Sequence, residues 1–216
     1  MQKYLQTTLP IEISSKTLLN NTIKRKDYII YNGRLIWANP NIYLKGDGNS
    51  YIVTNYIPSN AMVVNMKYGN IDNWLFASRR VVSAVSFGFS KTYVNYATES
   101  FSFNSPTSGI IEYGQTVKIN GETIHTFSDS LFYENAKLVL YTIRNESDGQ
   151  TYTKSLSKIY YLQIYEADSL LYHFVPVPQG LEIGNFTIPS NGMFDIVNQQ
   201  FYNNSGQGSF IYGKDI

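Results

Sequence analysis

Hydrophobic and polar residues alternate along much of this chain. Between residues 61 and 68, Met62, Val64, Met66 and Tyr68 take every second position, with Ala61, Val63, Asn65 and Lys67 between them. That period of two predicts a strand with one face buried. From 81 to 90 the pattern returns: Val85, Phe87 and Phe89 share one face, and Ala84, Ser86 and Gly88 share the other. A face of such small residues leaves room for something to lie against it. Between residues 158 and 178, two runs rich in apolar and aromatic residues flank Glu166-Ala167-Asp168-Ser169, which predicts two strands joined by a short hairpin loop built on a type I turn. Ile159, Tyr161 and Tyr165 face one way and Tyr160, Leu162 and Ile164 the other, so the first of these strands is expected at the centre of a sheet. Pro176 and Pro178 have no N–H for a ladder, so the second strand must end there or lie at an edge.

Turn signals divide the rest. Asn32-Gly33 and Asn120-Gly121 each sit between alternating runs and predict type I′ hairpin turns, which need positive φ at both central positions. Short strands are expected on either side of Gly46-Asp47-Gly48-Asn49, at 74–78, 93–96 and 100–104, at 138–144 and 152–165 around Asp148-Gly149, at 192–202 around Asn198-Gln199, and at 209–212. The one place where a helical turn would fit is 132–138. Many short strands separated by turns, without alternating strands and helices, predict an antiparallel sandwich or barrel.

The chain divides at about residue 40. Residues 1–39 form an irregular arm to Asn21 followed by the small Asn32-Gly33 hairpin, and 40–216 form the main domain. A two-stranded hairpin is marginal alone in water, so Ile30, Leu35 and Trp37 must be covered by the main domain or by another chain. We expect this first segment to serve attachment and self-association, with a trimer as first choice and a dimer next.

Composition sharpens the picture. Hydrophobic residues are 43% and charged residues 15% of the 216, with 19 Tyr and 12 Phe, which favours strands and an uncharged surface of Asn, Ser and Thr. A net charge of +1 supplies no field for nucleic acid or an anionic membrane, and Lys24-Arg25-Lys26 reads as a solvated turn. The absence of cysteine excludes disulfides and thiolate zinc sites. The first 21 residues hold no signal-like apolar run, and no stretch reaches the roughly 18 apolar residues of a spanning helix. The expectation is a soluble protein made in the cytoplasm, reaching the outside only by assembly into a larger particle or by lysis.

Catalysis is not expected. A glycosidase needs two carboxyl groups about 5 to 9.5 Å apart. Here Glu112, Glu122, Glu134 and Glu146 are isolated, and Glu166 and Asp168 flank or occupy a turn. The only histidines, His125 and His173, have no carboxylates at metal-ligand spacing, so neither metal nor other cofactor is expected. Asp47-Gly48-Asn49 offers oxygens of the kind calcium takes, but a turn explains it more simply. Arg79 and Arg80 are expected to order a neighbouring loop. For sugar recognition, which joins aromatic platforms to amides and hydroxyls, the candidates are Trp74, Tyr93, Asn95 and Tyr96, with core or edge packing as their ordinary reading.

Four segments resemble a known family: YLKGDGNSYIVTNYIPSNAMVVNMKY, LFASRRVVSAVSFGFS, KIYYLQIYEADSLLYHFVPVPQG and GMFDIVNQQFYNNSGQGSFIYG. In this order they are similar to the concanavalin A-like (laminin-G-type) jelly-roll domains of phage virion proteins and of surface proteins of gut bacteria. The last segment is the most specific, through Phe194-Asp195, Phe201-Tyr202-Asn203, Gly206, Gly208 and Phe210. The resemblance covers residue 41 to the C-terminus and departs from the family at Tyr172-His173, where a polar or acidic residue is usual. It implies an all-β fold, an antiparallel two-sheet jelly-roll sandwich with its first and last strands close together. It also implies a structural protein of a bacteriophage virion, a head fibre, tail fibre or decoration that contacts capsid or tail proteins through its N-terminal arm. A lectin-like module that binds a host surface glycan, as a receptor-binding protein or adhesin, is the alternative.

Overall fold

The computed structural model describes residues 22–25, 27–79, 85–128, 136–145, 147–152 and 154–216. Within them the chain is all-β. Its strands begin with β1 (Thr22–Arg25), β2 (Tyr28–Tyr31), β3 (Arg34–Ala38), β4 (Ile42–Lys45), β5 (Ile52–Val53) and β6 (Met62–Gly69). Next come β7 (Phe76–Arg79), β8 (Val85–Phe89), β9 (Tyr93–Tyr96), β10 (Glu99–Ser102), β11 (Gly109–Tyr113), β12 (Thr116–Ile119) and β13 (Glu122–Thr126). The short β14 (Val139–Leu140), β15 (Ile143–Arg144) and β16 (Thr151–Tyr152) precede the long hairpin of β17 (Lys158–Glu166) and β18 (Ser169–Val177). β19 (Glu182–Ile183), β20 (Phe186–Thr187), β21 (Gly192–Asp195), β22 (Gln200–Tyr202) and β23 (Ile211–Lys214) complete the chain.

Two large antiparallel sheets share one core. The smaller runs β10-β9-β8-β7-β14-β5; the larger runs β13-β12-β11-β6-β17-β18-β21-β22, with β4 joining β17 to β23. Strand β6 fulfils its alternation, since Met62, Val64, Met66 and Tyr68 are each at most 1% exposed and Val63 is open to solvent. These side chains meet Phe76, Phe87, Phe89 and Tyr96 of the other sheet. Tyr113 of β11 reaches across, with its ring 4.5 Å from Phe87 and 5.3 Å from Phe76. Edge-on aromatic contacts of this kind add to the burial that drives the sheets together.

Strand β17 is central, as its two apolar faces require, but its parity changes part-way. Ile159 pairs with Tyr68 and Tyr161 with Lys67, so Tyr160 is an extra residue. This bulge brings Ile159 into the core beside Leu162 and Ile164, which corrects the regular alternation read from the sequence. The β17–β18 connection is also tighter than expected. Glu166 pairs with Ser169, and the two residues between them, Ala167 and Asp168, have φ of 43° and 67°. This is the geometry of a primed turn, whose twist matches the flanking strands where a type I turn would splay them. Asn32-Gly33 and Asn120-Gly121 carry positive φ at all four positions, as read. The ladder between β17 and β18 stops at Phe174, so Pro176 lies where no β17 partner asks for its N–H. The expected strand over 138–144 is broken by Tyr141, which takes φ of 69° while its N–H reaches Leu75 O and its hydroxyl donates to Leu44 O at 2.6 Å. Of the proposed helical turn, 132–135 lie outside the described residues, as does Arg80.

A second core lies on the other face of the larger sheet. Phe174 and Met193 point into the sandwich, and their neighbours Val175 and Phe194 point out, as alternation demands. There Val175, Val177, Phe194, Leu181 and Ile183 pack against Tyr28, Ile30 and Leu35 of the N-terminal hairpin. Polar bonds hold the layer in place. The Gln199 side chain accepts from Leu35 N at 3.0 Å and donates to Leu35 O at 2.8 Å, as a neighbouring strand would. The Tyr28 hydroxyl donates to Pro176 O at 3.0 Å, and Lys214 pairs with Asp27 at 2.6 Å. Ile30 and Leu35, expected at an assembly surface, are 1% and 0% exposed, because the main domain itself covers them. Trp37 lies opposite Ile29 and stays half-buried.

Candidate functional site

Of the proposed sugar-contacting residues, Tyr93, Asn95 and Tyr96 come from β9 of the smaller sheet and Trp74 from the segment just before β7. Strand β8 sets Gly88 opposite Asn95 of β9 and Ala77 of β7, and β10 sets Ser100 opposite Asn95 and Ser102 opposite Tyr93. Residues in register share a face, so Gly88, Tyr93, Asn95, Ser100 and Ser102 lie on the outer side, away from Phe87, Phe89 and Val94. Of the small face seen in the sequence, Gly88 is covered by Trp74, and Ala84 lies outside the described residues. A Cβ placed on Gly88 would stand 2.6 Å from Trp74 Cζ3, so the indole rests directly on the glycine. Tyr93 beside it is 47% exposed, and Ser100 and Ser102 are open to solvent. Asn95 is 7% exposed, and its Oδ1 is buried with no hydrogen-bond partner among the described residues.

Tyr96 is a correction. Its parity is opposite to that of Asn95, and it is 1% exposed inside the core, stacked on Phe127 at 5.5 Å with its hydroxyl donating to Asn60 O at 3.1 Å. Three of the four candidates therefore share a face and the fourth supports it from behind. Tyr113 braces the same sheet, accepting from Gly88 N at 3.3 Å and donating to Asn95 O. Burial holds its hydroxyl well above the usual phenol range, so it stays a neutral donor. The result is an indole, a phenol, a carboxamide oxygen without a donor, and two hydroxyls. Such a set can hold a neutral hydroxylated ligand by hydrogen bonds and ring contact. The two serines were missed in the sequence, although their spacing matches the outward positions of a strand.

Five carboxylates among the described residues are committed to the fold. Asp72 Oδ1 accepts the hydroxyls of Ser155 and Ser157 at 2.7 and 3.0 Å and Leu156 N at 2.9 Å. Glu166 takes the hydroxyls of Tyr56 at 2.8 Å and Ser59 at 2.6 Å. Buried Asp195 receives His173 N at 2.9 Å and Val197 N at 3.1 Å. Asp215 binds Lys158 at 2.8 Å and the Tyr160 hydroxyl, and these bonds, Lys158 foremost, hold its carboxyl below the usual range. Asp47 forms the turn read in the sequence, accepting Asn49 N and Ser50 N at 2.8 Å and Ser209 N at 2.6 Å. Burial works against its charge, yet those N–H donors hold its carboxyl below the usual carboxylate range.

The histidines are packing residues. His125 stacks on Phe101 at 4.2 Å, and burial pushes His173 down to about 4, against the opposing charge of Asp195. Arg79 lies over the Tyr152 ring at 4.9 Å, which ties β7 to the β15–β16 hairpin. Among the described residues no group of three His, Asp or Glu is placed to hold a metal, and no helix is long and apolar enough to cross a membrane.

Comparison with protein-family models, curated proteins and solved structures finds no match to this chain.

Proposed function

We propose that this chain is a structural protein of a bacteriophage virion, a jelly-roll module of concanavalin A-like type carried as a head fibre, tail fibre or decoration. The observation that supports it best is how the family-like segments assemble. They supply β4 to β8, β17, β18 and β21 to β23. In the larger sheet β6, β17, β18, β21 and β22 are successive neighbours, and β4, the first strand after residue 40, pairs with the last strand, β23. The closing motif has a physical reason too. Gly206 and Gly208 press against Asn49 O and the Asp47 carboxylate, where a side chain would collide. On this reading the module displays surfaces and performs no catalysis, and residues 1–21, with the outward side of Trp37, join it to capsid or tail proteins and to further copies of itself.

Particles banded on a density gradient test the proposal. Mass spectrometry should find the chain in the band and antibody should label it by electron microscopy; absence from intact particles would overturn the assignment.

A second reading, a glycan-binding receptor module, is favoured by the unpartnered Asn95 Oδ1 beside Trp74 and exposed Tyr93. A glycan array run with the parental protein and with Tyr93→Ala tests it. Binding that the substitution removes supports this face, and equal binding by both proteins argues against it.

A further inference from the structure

A separate cleft opens where the last strand closes the larger sheet. It measures about 310 Å³ and is lined by Gln179, Ser190, Asn191, Asn203, Asn204, Gly208, Ser209 and Phe210. We infer that it is a binding pocket for a neutral saccharide, distinct from the Trp74 face and independent of where the protein sits in a particle.

Its walls are fixed by bonds that leave other valences open. Asn191 uses both ends of its amide, Oδ1 accepting Gln179 N and Nδ2 donating to Phe210 O, each at 3.0 Å. Asn204 Oδ1 accepts Tyr51 N at 3.1 Å and Gly206 N at 2.8 Å, while its Nδ2 donates to Gly206 O at 3.3 Å and Gly208 O at 2.5 Å. Ser209 N is held by Asp47. Asn203 is oriented from one side only, because its Oδ1 takes the Ser190 hydroxyl at 2.6 Å and Asn204 N at 2.7 Å. Among the described residues nothing engages Asn203 Nδ2, the Gln179 carboxamide or the Ser209 hydroxyl.

These groups define the ligand. Asn203 Nδ2 donates, Gln179 both donates and accepts, the Ser209 hydroxyl does either, and the Ser190 hydroxyl, whose proton goes to Asn203, accepts. A partner that satisfies them must itself offer alternating donors and acceptors, as vicinal hydroxyls do. No cationic side chain lines the cleft, so phosphate, sulfate or a sialic acid would meet no counter-charge. Phe210, 4% exposed, offers no open ring face, which disfavours a stacked nucleobase. The volume lies at the lower end of the roughly 300 to 1,000 Å³ of small-molecule pockets, a fit for one or two sugar rings. Asn203, held through its Oδ1, is the one ligand-facing amide fixed in advance, which reduces the ordering cost at that contact.

Saturation-transfer NMR and calorimetry with glucose, galactose, mannose, rhamnose and N-acetylglucosamine, each at millimolar concentration, test the inference. At least one should bind the parental protein. Gln179→Ala and Asn203→Asp should weaken it more than tenfold with unchanged melting curves, since Asp keeps the acceptor for Ser190 and Asn204 and removes only the donor. Tyr93→Ala should bind as the parent does. Loss in Tyr93→Ala with retention in the two pocket variants would overturn this site and leave the Trp74 face as the glycan surface. Silence of the whole panel, or preference for a sialylated or sulfated sugar, would overturn the neutral-saccharide pocket while leaving a virion role untouched.

Discussion

Replacing Leu35 by Ala tests whether the N-terminal hairpin is an appendage or a layer of the fold. Leu35 is 0% exposed and packs with Tyr28, Ile30, Val175, Val177 and Phe194. Truncating such a side chain costs about 2 to 5 kcal/mol, the transfer term plus the cavity left behind. Removing residues 1–39 entirely would also uncover Ile42, Val175, Val177, Leu181, Ile183, Ile188 and Phe194. Burying a large apolar side chain is worth about 1.5 to 3 kcal/mol. Even partial exposure of that set reaches the order of the total stability of a domain, about 5 to 15 kcal/mol. Urea unfolding followed by tryptophan fluorescence should therefore show a lower midpoint for Leu35→Ala. The 40–216 fragment should bind a hydrophobic dye and either unfold or aggregate. A midpoint change worth less than about 0.5 kcal/mol, or a 40–216 fragment that melts as a parental-like monomer, would refute the three-layer packing.

Gly88→Ala drives a methyl to 2.6 Å from Trp74 Cζ3 and 3.1 Å from Phe76 O, so it should cost about 1 to 3 kcal/mol and shift the Trp74 emission; unchanged fluorescence and stability would show that the indole lies elsewhere. His173 should make the protein acid-sensitive. Its folded form resists protonation down to about 4, whereas the unfolded chain accepts a proton near the ordinary value of 6.5. The stability is thus complete above pH 6.5 and declines as pH falls toward 4, by up to about 3 kcal/mol, and urea midpoints across that window should flatten in His173→Gln. An equal slope in the variant would assign the acid sensitivity to other groups. Gly33→Val meets φ of 73° and the nearby Gly184 Cα, 3.2 Å from the new Cβ, so a loss of about 1 to 2 kcal/mol is expected in thermal melts; parental behaviour would remove the turn assignment.

What the sequence settled by itself was local. Period-two patterning in 62–68 and the Asn-Gly pairs at 32–33 and 120–121 specify strand faces and turns, because a side chain's parity and a residue's tolerance of positive φ are properties of the nearby backbone. Tertiary structure decided what each face meets. Nothing local shows that Tyr160 is a bulge, that Ala167-Asp168 turns without a glycine, or that Tyr141 accepts φ of 69° inside the core. Those choices follow from fitting neighbouring strands and packing rings between sheets. The same limit applied to the candidate site, where Trp74, Tyr93, Asn95 and Tyr96 carry the same kind of chemistry in the sequence and only parity in the fold separates Tyr96, sent inward, from the other three. Ile30 and Leu35 were legible as surfaces in need of cover, yet only the fold could supply Val175 and Phe194 as that cover. The proposed saccharide cleft left no continuous motif at all. Its lining comes from around residues 179, 190, 203 and 209, which meet only because β18 pairs with β21, β21 with β22, and β23 with β4, and a contact made through three pairings has no local signature.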